Sequence, residues 1–132
     1  MFLLDTDTCI DALRGDGSVR KRMEDVSPDD CNVSSITVFE LYIGICFTRQ
    51  PEREGLKVDR FLSVLNVVPF DRTAAAEAAK LRQELESTGT RIGPYDLLIA
   101  AQAISTDCTL VTANVHEFGR IKSLKVENWR VG

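Results

Sequence analysis

Phe2-Leu3-Leu4-Asp5-Thr6-Asp7-Thr8-Cys9-Ile10 opens with a short apolar run that stops at an acid. The run suits a buried strand, and Thr6 or Asp7 can cap a helix through Arg14 that the Gly15-Asp16-Gly17 turn closes. The same punctuation recurs along the chain. Cys31-Asn32-Val33-Ser34 reads as a strand, with Ser35 capping a helix from Ile36 to about Arg49. Val67-Val68-Pro69-Phe70 is strand-like, and Asp71 begins an Ala-rich helix to about Ser87, closed by Gly89. Pro94 starts a helix through Ser105, Thr109–Thr112 is a strand, and Lys125–Glu127 forms a last short one. Two further helices are expected, from about Ser18 to Val26 and from about Glu52 to Leu65. The second carries an apolar stripe of Leu56, Phe61, Leu62 and Leu65. Strands alternating with helices argue for an α/β fold with a mostly parallel sheet.

The 132 residues make one domain, 1–132. Hydrophobic residues at 44% and charged residues at 27% exclude a disordered chain, a collagen-like repeat and a disulfide miniprotein. The net charge of −4 runs against a protein that coats nucleic acid. The four cysteines form no CxxC pair and His116 is the sole histidine, which disfavours zinc and a disulfide framework. Cys9, Cys31 and Cys46 sit among apolar neighbours and are expected to be reduced core residues. The amino terminus lacks a basic export signal, and no uncharged apolar run approaches the roughly 18 residues of a spanning helix. The chain therefore reads as cytoplasmic, with no membrane partner.

Carboxylates appear in four places where packing does not require them. Asp5 ends the first strand, where open α/β sheets collect ligands; it is either a ligand or a helix cap. The helix from Ile36 is apolar almost all round and is expected to be largely buried. Its exception is a narrow sector of Thr37, Glu40, Gly44 and Thr48, so Glu40 faces either solvent or a cleft. Asp96 lies in the first turn after Pro94, ordinary chemistry for a helix start. Its face is shared with Ala100 and Ala103, small residues that let the helix approach the sheet. Asn114 and Glu117 follow the strand Thr109–Thr112 in what reads as a polar loop. An α/β sheet can bring these positions to one edge. Several carboxylates in one cleft repel one another unless a cation compensates, and oxygen-only ligands select Mg²⁺ or Mn²⁺. Such an ion points to hydrolysis of a phosphoryl bond.

Four stretches then carry a resemblance: Leu3–Ile10, Ser34–Leu41, Ile92–Ala101 and Leu110–Phe118, the last followed by Val126-Glu127-Asn128-Trp129. Together they resemble the PIN-domain ribonucleases, specifically the VapC-type toxins of toxin–antitoxin pairs. The resemblance implies a three-layer PIN-like fold with a mostly parallel central sheet flanked by helices. It implies a Mg²⁺ site, with Mn²⁺ plausible, on Asp5, Glu40 and Asp96. Asn114 and Glu117 complete the catalytic edge. Asp7 stands where the family more often has Asn, and is read here as a cap. The implied reaction is metal-assisted hydrolysis of RNA, leaving 5′-phosphate and 3′-hydroxyl ends. Thr6 and Thr112 are candidates to hold a phosphate or a metal-bound water. Arg14, Arg20, Lys21, Arg22, Arg120 and Lys122 are candidate RNA contacts. The implied partners are a cognate VapB-type antitoxin and a second copy of the chain in a homodimer or hetero-oligomer.

Leu3-Leu4-Asp5-Thr6-Asp7-Thr8 also looks like the opening of haloacid-dehalogenase-type phosphatases, with Asp5 as nucleophile and Asp7 as acid/base. Those enzymes need an acid pair after a later strand, and Ala113-Asn114-Val115 supplies none. A binding module without catalysis is the third reading. On the nuclease reading, setting aside Asp5, Glu40, Asp96 and Glu117 takes the net charge from −4 to 0. The acidity then belongs to the metal site, and attraction to RNA should be local and only weakly dependent on salt.

Overall fold

Five strands pair in parallel: β1 (Phe2–Leu4), β2 (Cys31–Ser34), β3 (Asn66–Val68), β4 (Thr109–Val111) and β5 (Val126–Glu127). Their order is β3-β2-β1-β4-β5 in a computed structural model that describes residues 1–130. Val131 and Gly132, the end of the expected domain, lie outside the described residues. Registers such as Leu4↔Val33 and Leu4↔Val111 place the carboxyl ends of the central strands level with one another. The chain builds outward from β1 to β2 and β3, then returns to β1's other side with β4. That reversal makes the β1/β4 seam the topological switch point, outside which ligands collect in open α/β sheets.

Seven α-helices flank the sheet among the described residues. They are α1 (Thr6–Leu13), α2 (Gly17–Asp25), α3 (Ser35–Phe47), α4 (Pro51–Ser63), α5 (Arg72–Ser87), α6 (Pro94–Ser105) and α7 (Val115–Phe118). Strand side chains alternate between faces, and the two cores follow that alternation. Leu3 and Leu110 pack with Leu81 of α5, Ile99 of α6 and Phe118 of α7. Leu4, Val33 and Val111 pack with Cys9 of α1, Val19 of α2, Leu41 of α3 and Val58 of α4. The result is the expected three-layer arrangement. Ala100, Ala101 and Ala103 are fully buried, so α6 does lie close on the sheet. Gly15 and Gly89 adopt positive φ (87° and 70°) just past α1 and α5, which explains glycine at both stops.

Several local expectations are corrected. Thr6 and Asp7 do not cap α1 but lie inside its first turn; the cap is Asp5, as one of its two readings allowed, its carboxylate accepting from the Thr8 amide at 2.8 Å. Ser34, not Ser35, caps α3, which starts at Ser35 and stops at Phe47; the Ser35 hydroxyl instead accepts from the Phe70 amide at 3.0 Å. The segment after β4 is not a loop but the short helix α7, capped by Asn114. On α4, Leu56 is exposed and Val58 holds the core position, because the helix packs through its opposite side. The apolar helix α3 is not buried within the chain: Phe39, Tyr42 and Ile43 are exposed, and Phe47 is 84% exposed. Cys46, on the same helix, is exposed rather than a core residue.

Candidate active site

The acids read from the sequence reach one edge of the sheet by four separate routes. Asp5 leaves β1 directly, its amide continuing the ladder to the Val111 carbonyl of β4 at 3.0 Å. Glu40 lies on α3, which starts where β2 ends. Asp96 lies in the first turn of α6, whose amino end stands at the carboxyl edge because α6 runs back to feed β4. Asn114 and Glu117 follow β4 on α7. A Phe39–Tyr95 edge-to-face pair, centroids 5.7 Å apart, ties the residue before Glu40 to the residue before Asp96.

Each side chain has a distinct setting. Asp5 is buried, and burial raises its carboxyl above the ordinary range. Hydrogen bonds from Thr112 and Thr8 pull in the other direction, while the charge of Asp7 adds to the rise. Asp5 is thus both the helix cap and the best-supported acid of the cluster. Asp96 lacks such support. Burial is the largest cause that pushes its carboxyl up to about 6, followed by the charges of Asp5, Glu117, Glu40 and Asp7. Glu40 accepts from the Thr6 hydroxyl at 2.8 Å. Glu117 accepts from the Asn114 amide group at 2.7 Å, and its own N–H is capped by the Asn114 carbonyl oxygen at 3.4 Å.

The donor chemistry fits a hard divalent cation. The charges of four carboxylates bear on Asp96, and every candidate donor is an oxygen. Among the described residues no three acids, cysteines or histidines stand in a ready-made metal-binding group. Glu40 is instead bonded to Thr6, and Glu117 to Asn114. Asp5, Asp96 and Glu40 are residues that could hold such an ion.

The chain matches known proteins in sequence and in fold. The PIN domain model matches residues 2–124. The chain belongs to the PIN-domain family, in its VapC branch. It is 37% identical to the tRNA(fMet)-specific endonuclease VapC of Salmonella typhimurium, over 97% of each chain. It is 37% identical to ribonuclease VapC2 of Rickettsia felis, over 98% of each. The structure of VapBC2 from Rickettsia felis, bound to a promoter DNA fragment, superposes with a TM-score of 0.93 at 37% identity. That match covers 97% of this chain and 98% of the other.

Within this PIN domain the weaker candidates separate. Thr6 gives its hydroxyl to Glu40, and Thr112 is fully buried, accepting from the Asn114 amide at 3.0 Å. Arg120 spends its guanidinium on the carbonyls of Glu117 (3.1 Å) and Arg91 (3.0 Å), bracing α7 against the segment before α6. Arg14 caps the far end of α1, roughly 13 Å along the helix axis from Asp5. Arg22 is paired with Glu127 and lies over the Trp129 ring, while Arg20, Lys21 and Lys122 are exposed. Asp7 is exposed on the first turn of α1 and belongs to the acidic group by charge, not as a cap. Thr37, which the sequence reading did not count as a site residue, is fully buried and 3.1 Å from the Thr6 hydroxyl. Its signal was its place beside Glu40 in the one polar sector of α3.

Proposed function

We propose that this chain is a Mg²⁺-dependent endoribonuclease toxin that hydrolyses RNA phosphodiesters to 5′-phosphate and 3′-hydroxyl ends. A VapB-type antitoxin neutralises it. The observation that carries the reading is Asp96, raised to about 6 by burial and by four other acids, with no hydrogen bond to offset them. Such a cluster at a switch point stores affinity for a cation and, through it, for a phosphate. When bound, Mg²⁺ supplies charge at the phosphate oxygens and makes water a better nucleophile.

The chain's own residues do the rest. Asp5, immobilised by Thr8 and Thr112, sets the position of the cluster relative to the sheet. Asp96 holds or releases a proton near neutrality, so its charge follows what is bound beside it. Glu40 and Glu117, held by Thr6 and Asn114, add their charges to those around Asp96. Because the Salmonella relative is named for tRNA(fMet), initiator tRNA is the first substrate to try.

A groove of about 510 Å³ between α1, α2 and α4 has an apolar lining including Leu13, Met23, Phe61 and Leu65, with Arg20, Lys57, Arg60 and one acid, Glu24, beside it. It suits an amphipathic antitoxin segment, and the similar Rickettsia felis structure is of a VapBC assembly. The exposed aromatic face of α3 suits a second copy of the chain. Purified protein should cleave tRNA with Mg²⁺, stop in EDTA, and yield ends that a 5′-phosphate-dependent exonuclease degrades. Cleavage that persists in EDTA, or 2′,3′-cyclic phosphate ends, would overturn the mechanism.

A further inference from the structure

The hydrogen bonds around Glu40 have a direction. A threonine hydroxyl has one proton to give. Thr6 donates its proton to Glu40 Oε1 at 2.8 Å, since an ionised carboxylate only accepts. Thr6 and Thr37 are also 3.1 Å apart, oxygen to oxygen, so in that contact Thr37 is the donor and Thr6 the acceptor. The order is therefore Thr37 to Thr6 to Glu40. It links α1 to α3, and its first member is fully buried. Thr37 and Glu40 are three residues apart on α3, on one side of the helix.

We propose that Thr37 is a positioning residue. Its hydroxyl orients the Thr6 hydroxyl, which holds Glu40 Oε1 and leaves Oε2 for the cleft. Thr37 touches neither substrate nor the ion; it acts through Thr6. Hydrogen bonds in series polarise one another, so losing the first weakens the second. The alternative for a buried threonine is packing alone, through its methyl group. Thr37→Val keeps the shape and removes the hydroxyl, whereas Thr37→Ser keeps the hydroxyl and removes the methyl.

The inference rests on the nuclease reading for its catalytic consequence and on the hydrogen bonds for its existence, and the test separates the two. With RNA and Mg²⁺, Thr37→Val should lower kcat by about tenfold or more while KM stays within about twofold. Thr37→Ser should stay within about threefold of the parent protein. Without metal or RNA, the ¹³C shift of the Glu40 carboxyl carbon should move in Thr37→Val and in Thr6→Val, and hold in Thr37→Ser. Thermal midpoints of all variants guard against simple unfolding. A Glu40 shift indifferent to Thr37→Val, or Ser and Val variants that behave alike, overturns the relay. Failure of the parent protein to cleave any RNA overturns the nuclease reading instead, and the carboxyl shift still decides the relay.

Discussion

Asp5 is the acid whose charge weighs most on Asp96: after burial, it comes first among the neighbours that lift the Asp96 carboxyl to about 6. The two residues are far apart in the sequence and meet near the β1/β4 seam, Asp5 after the strand and Asp96 on the helix that feeds its neighbour. One is held by hydrogen bonds and the other is not.

That asymmetry sets a pH dependence. The folded Asp96 carboxyl, at about 6, lies above its value of 3.8 in the unfolded chain, so the folded state binds more protons between those values. Stability from this group is present below about 4 and is lost as pH rises through about 6. In EDTA, the thermal midpoint should fall across that window more in the parent protein than in Asp96→Asn. At pH 7, Asp96→Asn should be the more stable and yet inactive. Equal pH profiles would remove Asp96 from the acidic cluster.

Asp5 has two duties that substitution can divide. Asparagine caps a helix about as well as aspartate, so Asp5→Asn should leave the unfolding free energy within about 1 kcal/mol of the parent. It should nevertheless lower RNA cleavage by about a hundredfold or more, through loss of a ligand charge. Asp5→Ala should lose both, with about 1 kcal/mol of further destabilisation. Urea unfolding alongside single-turnover cleavage checks both; an active Asp5→Asn protein would refute the assignment.

Trp129 fastens the last described segment to the sheet. It is 1% exposed, meets Phe2 edge to face at 5.1 Å, and gives its indole proton to Glu127 at 3.0 Å. Trp129→Ala should cost about 3–5 kcal/mol of stability. As the only tryptophan, its fluorescence also reports the fold directly, and Glu127→Gln should shift that emission. A Trp129→Ala protein with an unchanged urea midpoint would show that the segment is not part of the core.

The face of α3 makes a prediction about assembly. Phe39, Tyr42, Ile43 and Phe47 form an exposed apolar surface on a helix whose other side is already packed. Light scattering at micromolar concentration should give a dimer for the parent protein and a monomer for the pair of changes Tyr42→Asp and Phe47→Asp. A monomeric parent protein would remove the homodimer.

Much of the fold was legible because its boundaries are written in local chemistry. Pro94 begins α6, Asp71 caps α5, and Gly89 allows the positive φ beyond it; each depends only on near neighbours in the chain. The acids were legible for a related reason. A charge at a strand end, or alone on an apolar helix, conflicts with its surroundings, and such conflicts mark sites. Asp5, Glu40, Asp96 and Glu117 were all found that way, and all but Glu40 also lie at helix starts.

What failed was anything that depends on who faces whom. The apolar periphery of α3 reads as burial because a sequence shows hydrophobicity but not what covers it. Within one chain, the sheet reaches only part of that helix. Leu56 and Val58 both suit a core, and only the angle at which α4 lands selects Val58. Arg120 looks like a surface cation until its carbonyl partners at Glu117 and Arg91 are seen.

The amino-acid sequence by itself determined an alternating parallel α/β chain with acids at strand and helix ends, because element type and punctuation are set by neighbours a few bonds away. Only the tertiary structure decided that β4 returns beside β1, that five carboxylates consequently share one electrostatic environment, and that Thr37 stands behind Thr6 and Glu40. Those are distances between residues far apart in the chain. They are fixed by how the helices pack across the sheet, and no local pattern encodes them.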